Sequence, residues 1–203
     1  MNKDQLQFIK ERRSTRLFKE IPLDKSTINS IIQVGKFAPS AKNSQPWQFI
    51  VITNKETIQE LSLQVKYEIK KILRRRVIYQ IFNPDLRKKE TLQSLYGLTM
   101  AKKDVIFHEA PVVVFIVTKK GVFNDESCAC CAENMMLAAH SLEIGSCWIG
   151  FAHFLGQNKR VLERIGVPKN MHIAAALIFG HPTETNKKIP IRKPMADVIN
   201  WIE

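Results

Sequence analysis

Residues 110–118 read APVVVFIVT, an almost unbroken apolar run that ends in a threonine. Its β-branched and aromatic residues favour a strand, and a run without polar alternation is typical of a strand buried on both faces. The run contains Pro111 and is far shorter than the roughly 20 apolar residues that a membrane-spanning helix needs. It therefore predicts a central strand that is covered on both sides.

Other strands and helices are predicted on either side of this run. QFIVIT at 48–53 and HIAAALIFG at 172–180 are also strand-like, and CWIGF at 147–151 predicts a short strand or loop. Apolar spacing predicts helices at 3–12, from an Asp24 N-cap to just before Pro39, at 55–76, at 127–143 and at 158–165. Residues 85–108 show the weakest pattern and are predicted to be helical. Because helices and strands alternate irregularly, we expect a sheet layered with helices.

The alanine-rich helix at 127–143 carries a clear apolar stripe. We expect its core face to consist of Ala132, Met135, Met136, Ala139 and Leu142. Gly145 follows it and suits a left-handed end of the helix.

Composition indicates an ordinary globular protein. The chain has 203 residues, with 45% hydrophobic and 25% charged residues, which suits one domain over 1–203. The first residues lack the apolar block of a signal peptide, so we expect a cytoplasmic protein. The four cysteines, Cys128, Cys130, Cys131 and Cys147, do not have zinc-site spacing. We expect most of these thiols to be reduced and packed inside the protein, without a metal or a disulfide.

The net charge of +12 keeps a second class of function open. Much of the excess lies between Lys66 and Lys103, and such a charge can attract nucleic acid. That segment, however, has amphipathic helical spacing and few aromatic residues for base stacking. A solvated helix face is therefore the preferred interpretation, with nucleic-acid binding as the alternative.

Four polar stretches are candidates for a binding site. RRSTR at 12–16 is either a solvated helix end or an anion site in which arginine forks and a serine hydroxyl hold a phosphate. PSAKNSQPWQF at 39–49 is more than a stiff connection, because it offers Ser40, Asn43 and Gln45 together. GSCWIGF at 145–151 contains Gly150, which lets the backbone approach a flat ligand. IPIRKP at 189–194 places Arg192 between prolines, and alone it would be only a basic tail.

Taken in this order, these stretches resemble the nitroreductase family of FMN-dependent oxidoreductases. The match covers RRSTR with Phe18, APSAKNSQPWQF at 38–49, APVVVFIV at 110–117, AAHSLEIGSCWIG at 138–150, and IFGHP followed by IRKP. Residues 77–108 match poorly and form a variable excursion. The resemblance implies an α+β fold with a central, mostly antiparallel sheet flanked by helices. It also implies an intertwined homodimer with FMN at the interface and a tail, 181–203, that reaches the partner subunit.

The resemblance also implies which residues bind the cofactor. The phosphate would be held by Arg12 and Ser14 with Arg192, and Arg13 belongs to the same cluster. Arg16 would lie beside the pyrimidine edge of the flavin. The remaining implied FMN contacts are Pro39, Ser40, Ala41 and Asn43 from the partner subunit, and Cys147, Trp148, Ile149 and Gly150 along the flavin, with a backbone N–H near Gly150 directed at N5. Family members often carry a lysine two residues before the late arginine, and Pro190 stands there in this chain, so Lys187 or Lys188 is expected to take its role.

The leading functional prediction is therefore an enzyme in which FMN takes hydride from NADH or NADPH and reduces a small acceptor. Nitroaromatics and quinones are the expected acceptors, with ping-pong kinetics and no catalytic side chain required. Lys102 and Lys103 are further candidates for flavin contact, whereas His140, His153, His172 and His181 are interpreted as structural. A non-catalytic flavin-binding protein is a further alternative, and neither nucleic acid nor a membrane is an expected partner.

Overall fold

Four antiparallel strands form the central sheet of the structure, a computed structural model that describes residues 3–82, 84–183, 192 and 200–202. The strands are β1 (Gln48–Ile52), β2 (Val112–Lys119), β3 (Gly145–Trp148) and β4 (Met171–Gly180), in the order β1-β2-β4-β3. Every residue of β2 from Val112 to Thr118 is buried. The predicted central strand is therefore confirmed, as is the α+β fold with an antiparallel sheet.

Seven α-helices surround the sheet in the described part of the chain. They are α1 (Lys3–Glu11), α2 (Lys25–Gly35), α3 (Lys55–Arg74), α4 (Arg76–Phe82), α5 (Lys89–Met100), α6 (Asn124–Ser141) and α7 (Lys159–Arg164). Short 3-10 helices occupy Ala41–Asn43, Pro84–Arg87 and Gly150–Gln157. Asp24 caps α2 as predicted, because its carboxylate accepts the Thr27 N–H at 2.7 Å. The segment 85–108 is largely helical, as expected.

The two faces of the sheet carry two separate apolar cores. Alternating residues of β2 divide between them, so that Val113 and Phe115 face one core and Val112 and Val114 face the other. The first core contains α3, α5 and the 3-10 helix Gly150–Gln157, and the second contains α2 and α6. The stripe predicted for α3 is buried throughout: Ile58, Leu61, Val65, Ile69 and Ile72.

The C-terminal end of α6 differs from the prediction in two respects. Leu142 is 46% exposed and does not belong to the core stripe, because it lies one residue beyond the helix. The left-handed residue is Glu143, with φ 58°, and Gly145 instead begins β3. The Ile144 N–H bonds to the Ala139 carbonyl at 2.8 Å, which satisfies a free carbonyl at the helix end. The prediction was wrong because a left-handed helix end favours glycine without requiring it.

Two other boundaries shift by a few residues. Helix α6 begins at Asn124 rather than Ser127, directly after a left-handed Phe123 with φ 66°. The strand predicted at 147–151 begins at Gly145 and ends at Trp148, and a 3-10 helix follows from Gly150. Most of the tail at 181–203 lies outside the described residues.

The cysteines behave as structural thiols. Cys128, Cys131 and Cys147 are buried and Cys130 is exposed, all four without a disulfide. Burial raises the pKa of Cys128 to about 11 and that of Cys131 to about 12, so both remain protonated at neutral pH. Among the described residues there is no group of three or more side chains that could hold a metal ion. None of the described helices is both long and apolar enough to cross a membrane.

Candidate functional site

Two of the stretches singled out in the sequence lie side by side, although they are far apart in the chain. The Thr15 N–H donates to the Ser146 carbonyl at 2.8 Å, and Ser14 pairs with Ser146 as an isolated parallel bridge. The RRSTR segment thereby extends the edge of the sheet next to β3. The close approach depends on Gly145, since a Cβ there would lie 2.6 Å from Cγ2 of Thr15.

A cavity of about 370 Å³, here called the arginine cavity, opens at this junction. Its lining includes Arg12, Arg13, Thr15, His140, Ser146 and Thr183, together with two carboxylate residues, Glu11 and Glu143. The Arg12 side chain is only 17% exposed, and its Nε lies 3.6 Å from a carboxylate oxygen of Glu133. Its buried Nη1 has no hydrogen-bond partner among the described residues. A buried guanidinium N–H without an acceptor is costly, so this cavity is suited to an anion.

The neighbouring arginine is engaged differently. Nη1 of Arg13 donates to the carbonyl of Arg12 at 2.7 Å and also to the carbonyl of Lys10. The side chain thus folds back on the C-terminal end of α1, where a cation is favourable. His140 stacks on Phe8 with ring centroids 4.7 Å apart, and its pKa is lowered by burial and by Arg12. A neutral His140 therefore packs against α1, consistent with its structural interpretation.

A second cavity of about 510 Å³, here called the aromatic cavity, begins where the RRSTR segment ends. Its lining consists of Arg16, Val105, Ile106, His108, Trp148, Ile149, Gly150, Phe151 and Phe154. A Cβ added at Gly150 would meet nothing within 4 Å, so the backbone here is open to a ligand. Cys147 points into the core instead and is 1% exposed.

The amides along this wall are of two kinds. The Ile149 N–H donates to the Ala176 carbonyl at 2.8 Å. Gly150 is the first residue of a 3-10 helix, and no acceptor for its N–H occurs among the described residues. The aromatic cavity thus offers a free backbone donor beside apolar walls and a cation, which suits a flat ligand with polar edges.

The loop at 39–45 is held in an unusual conformation. Lys42, Asn43 and Gln45 all have positive φ values, between 45° and 54°. Hydrogen bonds within the loop stabilise it, from the Gln45 N–H to Oγ of Ser40 at 3.0 Å and from the Gln45 side chain to Oδ1 of Asn43 at 3.2 Å. Pro39 and Asn43 are exposed, so the loop presents its polar groups outwards.

This loop lies away from the arginine cavity within one chain. The Ala41 N–H donates to Oγ of Ser127 at 3.5 Å, near the start of α6, whereas the arginine cavity contains His140 at the other end of that helix. Thirteen residues separate Ser127 from His140, which is about 20 Å at 1.5 Å per residue. The structure therefore brings Arg12–Arg16 together with Cys147–Gly150, and leaves Pro39–Asn43 apart.

Three basic residues proposed from the sequence lie outside these cavities. The Arg192 side chain is exposed and forms no hydrogen bond or ion pair with the other described residues. Lys102 and Lys103 are also exposed, and neither lines the aromatic cavity. Lys187, Lys188 and Pro190 fall outside the described residues.

Sequence reasoning missed several residues of the two cavities, notably Thr15, Ser146, His108, Phe151 and Phe154. Thr15 and Ser146 lie within the motifs RRSTR and GSCWIGF, but the signals for a binding site came from the charged residues and the glycine beside them. His108 precedes the central strand directly, and that position was the only available signal.

Comparison with known proteins identifies the family of this chain. The family model "Nitroreductase family" matches residues 9–181. A relative from Archaeoglobus fulgidus, which carries a provisional NADH dehydrogenase/NAD(P)H nitroreductase name, is 26% identical over 179 residues, covering 88% of this chain and 86% of its own. An oxygen-insensitive NADPH nitroreductase from Helicobacter pylori is 23% identical over 97% of this chain and 95% of its own.

Solved structures show the same fold. A nitroreductase from Bacteroides fragilis, crystallised with bound FMN, superposes with a TM-score of 0.79 at 25% identity, covering 100% of both chains. A second nitroreductase, from Desulfitobacterium hafniense, gives a TM-score of 0.77 at 22% identity over 100% of both chains. With its family match over most of the chain and both motifs of the site in place, this protein belongs to the nitroreductase family.

Proposed function

We propose that this protein is an FMN-dependent oxidoreductase that passes electrons from NAD(P)H to nitroaromatic, quinone or similar acceptors. One observation carries the proposal: Arg12, which has a buried guanidinium nitrogen without a partner among the described residues, lines one cavity, and the open backbone at Gly150 lines a second cavity at the other end of the same RRSTR segment. A site suited to an anion and an apolar wall suited to a flat ring thus lie at the two ends of the RRSTR segment. The FMN-bound relative of the same fold supports FMN as the ligand that combines the two.

The arginine cavity fits the phosphate of FMN. Arg12 offers an unsatisfied charged donor, and Ser14 adds an exposed hydroxyl beside the same edge strand. Arg13 lines the cavity and contributes positive charge, although its Nη1 already bonds to α1. Arg192 completes the phosphate site in our proposal. A dianion needs several charge-assisted bonds, which this set can supply.

The aromatic cavity fits the flavin ring. When bound, FMN supplies the hydride chemistry, accepting two electrons from NAD(P)H and donating them to the second substrate. Arg16 places a cation where negative charge accumulates on reduction. The free N–H of Gly150 orients the ring, Trp148 and Ile149 line its face, and the apolar lining limits water. Because both substrates would use one exposed face, the kinetics should be ping-pong.

The third part of the proposed site comes from a second copy of the chain. The loop that contains Pro39, Ser40, Ala41 and Asn43 lies about 20 Å along α6 from the arginine cavity of its own chain, which supports a contact with the FMN of the other subunit. An intertwined homodimer places this loop against the partner's cofactor. The proposal treats 1–203 as one FMN-binding domain whose tail, 181–203, reaches the partner subunit. Its partners are a second subunit and a small-molecule acceptor in the cytoplasm, without nucleic acid or a membrane.

The test begins with the purified protein. Its visible spectrum should be that of a flavoprotein, and heat should release FMN at one per subunit. Initial rates measured with NADPH and a quinone should give parallel lines in double-reciprocal plots. A colourless protein that cannot be reconstituted with FMN would refute the proposal, and a yellow protein without turnover would support a non-catalytic flavin-binding role instead.

A further inference from the structure

The loop at 101–109 is fixed to α3 by a buried lysine. The Lys66 side chain is 7% exposed, and its Nζ donates to the carbonyls of Ala101 and Lys103, both at 2.9 Å. A buried ammonium is costly unless carbonyls or carboxylates surround it. Lys66 therefore clamps the start of this loop in one conformation.

A carboxylate fixes the other half of the same loop. Asp104 accepts the Ser62 hydroxyl at 2.6 Å and the backbone N–H groups of Ile106 at 2.9 Å and Phe107 at 3.0 Å. These bonds join the loop to α3 and turn the chain sharply before β2. Lys66 and Asp104 together therefore fix the position of the residues that follow.

The next residue, His108, is held in a strained conformation. Its φ is 57°, and that of Glu109 is 55°, so two successive residues other than glycine are left-handed. Such positions are energetically unfavourable for residues other than glycine and persist only where their surroundings fix them. Strain of this kind is frequent at ligand sites.

The strained backbone directs His108 to the aromatic cavity. Among the described residues that line this cavity, Arg16 and His108 alone have side chains that can carry a charge. The same two residues also line a neighbouring cavity of about 480 Å³, here called the side cavity. The pair therefore lies at the boundary between the two cavities.

The charges around His108 are asymmetric. Burial and then the positive charge of Arg16 lower the pKa of His108, and Asp104 raises it to a smaller extent. The segment Trp148–Phe151 brings no charged side chain to the aromatic cavity. The further charged residues near the pair line the side cavity and are Lys19, Glu20, Lys55 and Glu109. At neutral pH His108 is a neutral hydrogen-bonding group, and below its pKa it becomes a second cation beside Arg16.

We propose that His108 is a substrate-binding residue which, with Arg16, selects aromatic acceptors that carry an anionic or strongly polarised oxygen, such as a nitrobenzoate. This rests on the proposed function, since the acceptor would stack in the aromatic cavity. The acceptor would stack on the exposed flavin face inside this cavity, and Arg16 and His108 provide the hydrogen bonds and charge that orient its oxygen.

The experiment measures binding without turnover. The oxidised holoprotein is titrated with 4-nitrobenzoate in the absence of NAD(P)H, and the shift of the visible flavin spectrum gives the dissociation constant. The carboxylate stays ionised, so only the protein titrates. Burial and Arg16 lower the pKa of His108, so wild-type affinity should rise by up to about tenfold as the pH falls from about 8 to about 5 and His108 gains its proton. Affinity for nitrobenzene, which has no charge, should hardly change over the same range.

The matched variants are His108→Asn and Glu109→Asn. Asparagine tolerates a left-handed φ better than most residues, so both should preserve the loop. His108→Asn should bind 4-nitrobenzoate with nearly the same affinity at both pH values, and Glu109→Asn should keep the wild-type rise. A flat wild-type profile, or a His108→Asn profile like that of wild type, would overturn the inference. Either result with a normal FMN spectrum and turnover would leave the proposed function intact, whereas loss of FMN from wild type would refute that function first.

Discussion

The Thr15 N–H bonds to the Ser146 carbonyl at 2.8 Å, and this contact joins the arginine segment to the edge strand β3. On one side of the contact lies the arginine cavity, which contains both residues. On the other side, Arg16 follows Thr15 directly and Trp148 lies two residues after Ser146, and both line the aromatic cavity. This backbone bond thus lies between the proposed phosphate site and the proposed flavin site.

The first prediction concerns the glycine that permits this contact. A Cβ at position 145 would lie 2.6 Å from Cγ2 of Thr15, so Gly145→Ala must push the two segments apart. We expect a loss of about 1–3 kcal/mol in the free energy of unfolding, as is usual for overpacking. FMN affinity should fall as well, because the two segments that line both cavities would no longer keep their relative position. Urea unfolding and an FMN titration measure the two effects.

The control for this variant is Gly97→Ala in α5. A Cβ at position 97 would meet nothing within 4 Å, and alanine favours a helix by roughly 0.5–1 kcal/mol over glycine. Gly97→Ala should therefore stabilise the protein slightly and leave FMN binding unchanged. Equal effects of the two substitutions would show that the Thr15 contact has no special role.

The second prediction separates Arg12 from Arg13. Arg12→Ala removes the guanidinium that has an unpartnered buried nitrogen, at a cost of about 1.5–3 kcal/mol in a charge-assisted bond to phosphate. FMN affinity should then fall roughly tenfold or more. Riboflavin has no phosphate, so its affinity should hardly change. Fluorescence titrations of the apoprotein with each compound give both constants.

Arg13→Ala serves as the comparison, since the Arg13 guanidinium already bonds to carbonyls of α1. It should weaken FMN binding less than Arg12→Ala and act mainly on the thermal stability of the N-terminal helix. If Arg12→Ala weakened FMN and riboflavin equally, the arginine cavity would not be the phosphate site.

Much of the fold was predictable because its signals are local. The run at 110–118 has no polar alternation, and β2 is buried on both faces accordingly. Asp24 precedes an apolar stripe and caps α2. The end of α6 was not predictable in this way, because the left-handed residue there is Glu143 and Gly145 serves a contact with Thr15 instead. A glycine required by a distant residue looks, in the sequence, the same as one required by a turn.

The candidate site was predictable only where it coincides with a motif. RRSTR and GSCWIG were identified as stretches, and the structure brings them together. His108 has no motif, since its place in the aromatic cavity depends on Lys66 and Asp104, which hold the loop from α3. Such contacts between residues distant in sequence leave no periodic pattern. The role proposed for the 39–45 loop rests on the motif alone, because within one chain the loop packs near Ser127, at the end of α6 opposite the arginine cavity.

The third prediction tests whether each site is shared between two subunits. Arg12→Ala damages the arginine cavity, and Asn43→Gly removes the loop side chain while tolerating the left-handed φ of 52° at that position. Each variant alone should bind FMN weakly. In a mixed dimer of the two, one site would carry both defects and the other would carry neither. Mixing the denatured variants and refolding them together should therefore restore tight FMN binding at one site of each mixed dimer.

A site formed within one chain would give a different result. If Arg12 and Asn43 served the same FMN within one chain, every site of the mixed dimer would retain one defect and no tight site would appear. Refolding each variant separately, then combining the samples, controls for recovery during the procedure. Sedimentation of an FMN-loaded monomer would also contradict the shared site.

The last prediction sets Arg16 apart from the phosphate ligands. Arg16 is exposed in the aromatic cavity, beyond the Thr15 contact, and does not line the arginine cavity. Arg16→Gln should therefore keep most of the FMN affinity, because the phosphate contacts are unchanged. The cation matters more once the bound flavin is reduced, since negative charge then accumulates beside it.

Losing a charge-assisted interaction of about 1.5–3 kcal/mol in the reduced state corresponds to a two-electron potential that is lower by roughly 30–60 mV. Spectroelectrochemical titration of wild type against Arg16→Gln measures this difference. Lys19→Gln removes the same charge from a residue that lines only the side cavity, and its potential should stay close to that of wild type. Because a lower potential makes reduction by NAD(P)H less favourable, hydride transfer to Arg16→Gln should also be slower in stopped-flow experiments. An unchanged potential combined with a large loss of FMN affinity would instead place Arg16 at the phosphate.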